Sequence, residues 1–126
     1  MLDHISLGTS NLERARVFYD AVLEPLGYVR HWSSERGVEY DSPGGAGKLA
    51  IFDVGPAARP PGPGWHLALT APSRAAVDGF HVAALRGGAR DEGGPGLRPD
   101  YGPGYYAAFV RDLDGHKLEA VFHERT

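Results

Sequence analysis

An internal repeat limits the fold of this chain more than any other feature of its sequence. A shift of 62 residues aligns His4 with His66 without a gap, and nearer the end of each unit a shift of 69 residues matches Lys48-Leu49 with Lys117-Leu118. The shift of 62 also pairs apolar residues of the two halves: Leu7 with Leu69, Phe18 with Phe80, Ala21 with Ala83 and Leu23 with Leu85. Self-similarity at a fixed offset indicates a repeated structural unit, here of about 55 residues. We therefore expect two similar modules within one domain of 126 residues.

The first module, residues 1–54, shows the order β-α-β-β-β. Strands are predicted over residues 2–7, 28–32, 38–41 and 48–54, from runs of apolar and alternating residues. A helix lies between the first two strands. Ser10 is its expected N-cap, with Glu13 completing a capping box, and Pro25-Leu26-Gly27 is its expected end.

The second module, residues 65–126, shows the same order after a connector. Residues 55–64 contain four prolines and three glycines, which predicts a stiff connector rather than a helix or a sheet interior. A strand over 65–70 and a helix from Ser73 to Gly87-Gly88 follow. We then expect a short extended segment, a long Gly/Pro loop to Gly104, and a hairpin over residues 105–123.

The C-terminal hairpin carries the most unusual residue of the chain. Asp114-Gly115 lies between two apolar runs, a strong hairpin signal because glycine accepts the positive φ of a tight turn. Glu119 lies among the apolar residues of the second run. Burying a carboxylate is costly unless it is paired or bound to a metal. Glu119 is therefore predicted to face a cation.

His4 and His66 are candidates for the groups that Glu119 faces. A single strand histidine is more often a hydrogen-bonded structural residue than a metal ligand. Two histidines at equivalent positions of a repeat, together with Glu119, favour metal binding. Two imidazoles and one carboxylate form a facial triad suited to Fe(II), Mn(II) or a similar ion.

Composition excludes several other functions. The net charge of −3 and the pI near 6.0 provide no basic surface for nucleic acid. The absence of cysteine excludes disulfides and thiolate chemistry and is consistent with a reducing cytosol. No charged leader or long apolar run indicates export or membrane insertion, so a cytoplasmic location is expected.

The chain resembles the vicinal oxygen chelate superfamily, which includes glyoxalases, extradiol dioxygenases, fosfomycin-resistance transferases and bleomycin-resistance proteins. The resemblance covers nearly the whole chain and rests on DHISL and its following helix, on WHLAL, and on DLDGHKLEA. It implies an α+β fold of two tandem βαβββ modules whose curled mixed sheets enclose a metal and substrate cavity. It also implies His4, His66 and Glu119 as ligands of one divalent ion (Fe, Mn, Ni or Zn), and a homodimer. The modules of such a dimer pair either within a chain or between subunits.

Two positions depart from the patterns of that superfamily. Glyoxalase I-like members generally have a fourth ligand, a glutamate, where this chain has Ala50. Extradiol dioxygenases and fosfomycin enzymes typically have a tyrosine where this chain has Phe109. Tyr105 lies on the same strand face four residues away and is the predicted acid/base or positioning residue.

Two functions follow as hypotheses. The first is a metal-dependent lyase, dioxygenase or transferase that chelates two oxygens of a small substrate, with Ser6, Tyr105 and Phe109 as predicted substrate contacts. The second is a binding protein that sequesters a small molecule, as bleomycin-resistance relatives do. The predicted ligand triad favours the enzyme.

Other polar residues receive weaker predictions. His81 and His116 are expected to be exposed to solvent. Arg98 and Arg111 are candidates for binding an anionic substrate, and Arg111 is equally compatible with a surface ion pair. Residues 101–105 are predicted to form the rim of a pocket.

Overall fold

Two βαβββ modules make up the chain, as the repeat predicts. The computed structural model describes residues 2–125, so residues 1 and 126, the outer limits of the predicted modules, lie outside the described range. The first module contains β1 (His4–Thr9), α1 (Leu12–Leu23), β2 (Val29–Ser33), β3 (Gly37–Asp41) and β4 (Lys48–Asp53). The second contains β5 (Leu67–Thr70), α2 (Arg74–Arg86), β6 (Arg90–Leu97), β7 (Tyr105–Arg111) and β8 (Lys117–His123). Short 3-10 turns lie at Pro43–Gly45, Gly55–Ala57 and Pro99–Tyr101.

Each module forms its own four-stranded mixed sheet. The strand order is β1-β4-β3-β2 in the first sheet and β5-β8-β7-β6 in the second, and neither sheet closes into a barrel. The first and last strands of each module are parallel, with Ile5 opposite Leu49 and Leu67 opposite Leu118. The two modules therefore share one register, which makes Ala50 and Glu119 equivalent positions.

The core lies between the sheets and the two helices, which pack against each other. Apolar residues at helical spacing on α1 and α2 meet the alternate residues of the strands in one continuous buried cluster. Its largest members from both modules include Tyr19, Tyr40, Phe80, Leu23 and Leu118. Because the helices cover one face of each sheet, the opposite faces are left for a functional site.

The N-terminus of α1 differs from the predicted capping box. Asn11, not Ser10, is the N-cap, and its side chain accepts a hydrogen bond from the Arg14 amide at 3.1 Å. Ser10 instead donates through its amide and its hydroxyl to Asp114 Oδ1, both at 3.0 Å. The α2 prediction is confirmed, since Ser73 caps the helix by accepting from the Ala76 amide.

Part of the predicted Gly/Pro loop is a strand. β6 covers residues 90–97 and pairs with β7, although its register shifts twice, between Asp91 and Gly93 and between Gly93 and Gly96. Such irregularities explain how a glycine-rich edge strand is tolerated. Composition alone indicated a loop because it does not reveal that β7 offers this segment a partner.

A buried polar network joins the two modules. Asp112 accepts hydrogen bonds from the Tyr19 hydroxyl of α1 and from the His116 amide at 2.8 Å, and its Oδ2 lies 2.9 Å from His116 Nδ1. The prediction that His116 is exposed is wrong, since only 2% of it is accessible. His81 is also buried, with its Nε2 3.0 Å from Asp91 Oδ1. In both cases a carboxylate partner compensates for the burial of the imidazole.

No helix within residues 2–125 has the length and apolar character needed to cross a bilayer.

Candidate functional site

Glu119 lies in the middle of β8, on the sheet face opposite the helices. Only 1% of the residue is exposed, and both carboxylate oxygens have partners. Oε1 lies 2.9 Å from His66 Nε2, and Oε2 accepts a hydrogen bond from the Tyr105 hydroxyl. The groups of the chain that contact this buried carboxylate are thus an imidazole and a phenol, and the cation expected from the sequence stays a prediction.

Strand register brings these groups together. His66 directly precedes β5, whose Leu67 and Ala68 are opposite Leu118 and Glu119 of β8. Tyr105 begins β7 and lies on the same face as Phe109, which is directly opposite Glu119. Side chains two residues apart on a strand share a face, so three neighbouring strands place their polar groups in one cluster.

Tyr105 keeps its proton at neutral pH. Burial raises the pKa of the Tyr105 hydroxyl to about 12, and the hydrogen bond and negative charge of Glu119 act in the same direction. A phenol with this pKa donates a hydrogen bond or supplies a proton, and it is not a base at pH 7.

A cavity of about 790 Å³ opens in front of this cluster. Aromatic side chains form much of its wall: Trp65, Tyr101, Tyr105 and Phe109. Residues 61–64 of the Pro/Gly connector form another part, and His66 and Glu119 lie in the lining. A volume of this size accommodates a drug-sized molecule. The predicted pocket rim at residues 101–105 therefore lies beside the cluster, through Tyr101 and Tyr105.

Basic groups line the same cavity on the side near the hairpin turn. Arg111 and Lys117 are opposite each other on β7 and β8. The Arg111 Nε donates to Glu92 Oε1 at 3.2 Å, and its Nη1 donates to the Gly115 carbonyl at 2.9 Å. The Lys117 ammonium lies 5.4 Å from the centre of the Phe109 ring. The cavity thus has an acidic region at Glu119 and a basic region at Lys117.

His4 and Ser6 do not join this cluster within one chain. Both lie on β1 in the other sheet, where His4 Nδ1 is 2.8 Å from Asp3 Oδ1 and 56% of the His4 side chain is exposed. Neither residue lines the cavity beside Glu119, and His4 lines a separate cleft with residues of β5.

The donor chemistry fits a divalent metal only in part. An imidazole nitrogen and a carboxylate oxygen, from His66 and Glu119, are suitable ligands for Fe, Mn, Ni or Zn. Within residues 2–125, however, no group of three or more histidine, aspartate and glutamate side chains converges as a ligand set. One chain therefore supplies two of the three predicted ligands at one place.

The structure shows the surroundings of Ala50 and Phe109, the two positions that depart from the superfamily patterns. Ala50 is fully buried, and its neighbours in the register are Ser6 on β1 and Glu39 on β3. Glu39 Oε1 lies 2.8 Å from His31 Nε2. Phe109 lines the cavity, with its ring 6.1 Å from the His66 ring. The phenylalanine thus contributes an apolar surface beside the polar cluster.

The comparisons with known proteins agree with this architecture. A family model described as the Glyoxalase/Bleomycin resistance protein/Dioxygenase superfamily matches residues 1–120. The chain belongs to this superfamily. Superfamily proteins bind small molecules and commonly use divalent metals.

Solved structures include close matches to the whole chain. A glyoxalase/bleomycin resistance protein from Albidiferax ferrireducens is 33% identical, with a TM-score of 0.85 and coverage of 98% of this chain and 99% of that one. A putative glyoxalase from Bacillus halodurans is 28% identical, with a TM-score of 0.72 and coverage of 97% and 95%. A lactoylglutathione lyase from Agrobacterium tumefaciens shares the fold at 20% identity, with a TM-score of 0.64 and coverage of 97% and 92%. No curated protein matches the chain.

Several cavity residues of this superfamily member were not found from its sequence. The repeat gives Lys117 no role beyond its match with Lys48, and the composition of residues 61–64 indicates only a connector, yet all of them line the cavity. The alternation of side chains along a strand is the signal that indicates Lys117, because Lys117 and Glu119 are two residues apart and must share a strand face. Nothing in the composition of the connector indicates which face of the fold it crosses.

Proposed function

We propose that this chain is a subunit of a divalent-metal-dependent enzyme that acts on a small molecule with two neighbouring oxygens. The observation that carries the proposal is the buried Glu119 carboxylate, paired with His66 at 2.9 Å in the wall of an aromatic cavity. A carboxylate and an imidazole facing a cavity of ligand size are typical of metal centres that bind substrate directly.

In this proposal the third ligand is His4 of a second copy. His4 lies on β1 and His66 precedes β5, and each of these strands is the edge of its sheet. The imidazole of His4 is largely exposed, so a second subunit can reach it. A twofold dimer would then contain two equivalent sites, each combining one module from each subunit.

The side chains of the cavity have separate roles in this proposal. His66 and Glu119 would hold the ion, which when bound supplies a Lewis acid for an oxygen of the substrate. Tyr105 keeps a proton on its hydroxyl and orients the Glu119 carboxylate through Oε2. Phe109 excludes water from one side of the cavity, and Ser6 remains a predicted substrate contact contributed with His4.

A second candidate, a protein that binds and sequesters a small molecule, is favoured by a different observation. Both oxygens of Glu119 already have hydrogen-bonding partners in the chain, so the buried carboxylate is satisfied without an ion. The aromatic wall of the cavity would bind a ligand in either case.

Metal analysis distinguishes the two candidates. After reconstitution with Mn, Fe, Ni or Zn, about one equivalent per subunit is expected in the wild type, and His66→Ala should lose it. His31→Ala is the matched control, because His31 also pairs with carboxylates but lies on β2, at the far edge of the first sheet. Less than about a tenth of an equivalent in the wild type would reject the enzyme and leave the sequestering protein.

Subunit complementation tests the origin of the third ligand. His4→Ala and His66→Ala should each lose the ion when expressed alone. Co-expression should restore about a quarter of an equivalent per subunit, since half of randomly paired dimers would carry one intact site out of two. If co-expression restores nothing while each variant remains folded, the shared site is rejected.

A further inference from the structure

The two ends of the cavity differ in charge, and this difference restricts the ligand. Glu119 and Lys117 are two residues apart on β8 and share a face, which separates their Cα atoms by about 7 Å. Phe109 is the direct neighbour of Glu119 on β7, and its ring lies 6.1 Å from the His66 ring and 5.4 Å from the Lys117 ammonium. An apolar surface thus connects the acidic region to the basic one.

The basic end has an excess of positive charge. Arg90 and Arg111 both donate to Glu92, so two guanidinium groups share one carboxylate. Lys117 takes part in no ion pair with the described residues, and its ammonium lies over the Phe109 ring, 5.4 Å from the ring centre. Lys117 is half-buried in the cavity wall, and an anionic group of a ligand can form a charge-assisted hydrogen bond with its ammonium.

The walls favour a flat ligand. Trp65, Tyr105 and Phe109 line the cavity, and the Tyr101 ring meets the Tyr105 ring edge-on at 5.3 Å. Aromatic rings of this kind bind another ring by offset stacking or edge contacts.

We propose that the cavity binds an aromatic carboxylate, with the carboxylate at Lys117 and one of the two neighbouring oxygens of the proposed substrate, on the opposite side of the ring, directed to His66 and Glu119. This inference rests on the proposed function only for the place of that oxygen; the charge and shape of the cavity stand without a metal. It names the substrate class that the same site would take.

A matched pair of ligands tests the role of charge. 4-Hydroxybenzoate and 4-hydroxybenzamide have nearly the same shape, the same phenol and different charges. Titrations followed by 15N–1H correlation spectra, with zinc and separately with a chelator, give the affinity and the location of each compound. The benzoate is expected to bind about tenfold or more tightly than the amide, since a charge-assisted hydrogen bond contributes this much. The perturbed amides should belong to β7, β8 and the connector.

Two variants assign the preference to Lys117. Lys117→Gln should make the two compounds bind equally, while binding of the amide stays within about twofold of the wild type. Arg86→Gln removes the same charge at the end of α2, on the helix side of the sheet, and should keep the tenfold preference.

The possible outcomes separate this inference from the proposed function. Equal affinities in the wild type, a preference that survives Lys117→Gln, or no binding of either compound at about 10 mM would overturn the inference, even if the chain binds zinc. A preference that depends on Lys117 with the chelator present supports the inference, even if the metal analysis rejects the enzyme.

Discussion

Replacing Glu119 with glutamine is expected to weaken metal binding by at least about a hundredfold, since even groups that only support a ligand are worth ten- to a hundredfold. The amide has the shape of the carboxylate but lacks the charge that attracts the ion. At a metal concentration of about 100 times the wild-type dissociation constant, the ion stabilises the wild type by about 2.7 kcal/mol and the variant by about 0.4 kcal/mol. The shift of the thermal midpoint on adding metal measures this difference.

A second carboxylate–histidine pair provides the control for this variant. Asp91 Oδ1 lies 3.0 Å from His81 Nε2, between β6 and α2 and away from the cavity. Asp91→Asn removes one carboxylate of the same type and should retain the full metal-dependent shift. An undiminished shift in Glu119→Gln would remove Glu119 from the ligand set.

Replacing Asp112 with alanine is expected to lower the free energy of unfolding by about 3–5 kcal/mol, because several buried hydrogen-bond donors lose their acceptor and each unsatisfied group costs about 1–3 kcal/mol. The change leaves the Tyr19 hydroxyl and the His116 ring without their acceptor inside the core. For a chain of this length the thermal midpoint should fall by about 10–20 °C. Calorimetry or chemical denaturation without metal measures the loss.

An exposed pair of the same chemistry is the reference for this prediction. The Tyr106 hydroxyl donates to Asp78 Oδ1 at 2.7 Å on the surface. Asp78→Ala removes a tyrosine–aspartate bond as well, but solvent can replace it, so the midpoint should change much less. Equal losses in the two variants would show that burial of the Asp112 network contributes no extra stability.

The order of the elements was predictable because local pattern and repeat agree. Alternating residues define the strands, the 3.6-residue stripe defines the helices, and the matching of Lys48-Leu49 with Lys117-Leu118 anticipated the shared register. The failures occur where a distant partner decides the local structure. Ser10 does not cap α1 as expected, because its hydroxyl donates a hydrogen bond to Asp114, which is more than a hundred residues away in the sequence. Likewise the glycine-rich segment of residues 90–97 forms strand β6 because it pairs with β7.

The sequence predicted the part of the site that lies within the second module, which is the pair of His66 and Glu119. Glu119 was found as a charge in an apolar strand, and His66 through the repeat, and the structure places them in contact. The repeat also made His4 equivalent to His66, but equivalence in sequence does not determine distance. Because α1 packs on α2, the arrangement of the modules depends on side chains from both, and within one chain His4 remains outside the cluster.

The turn of the last hairpin reaches back to the beginning of the chain. Asp114 accepts hydrogen bonds from the side chains of Thr9 and Ser10, and Asp112 accepts one from Tyr19. These partners are 93 to 105 residues apart in the sequence. The first helix and the residues before it therefore acquire these partners only after residues 112–114 have been synthesised. A ribosome-bound chain that ends before residue 112 would lack the acceptor for Tyr19. The two modules thus complete their folding together, once the turn of the last hairpin is available to the first module.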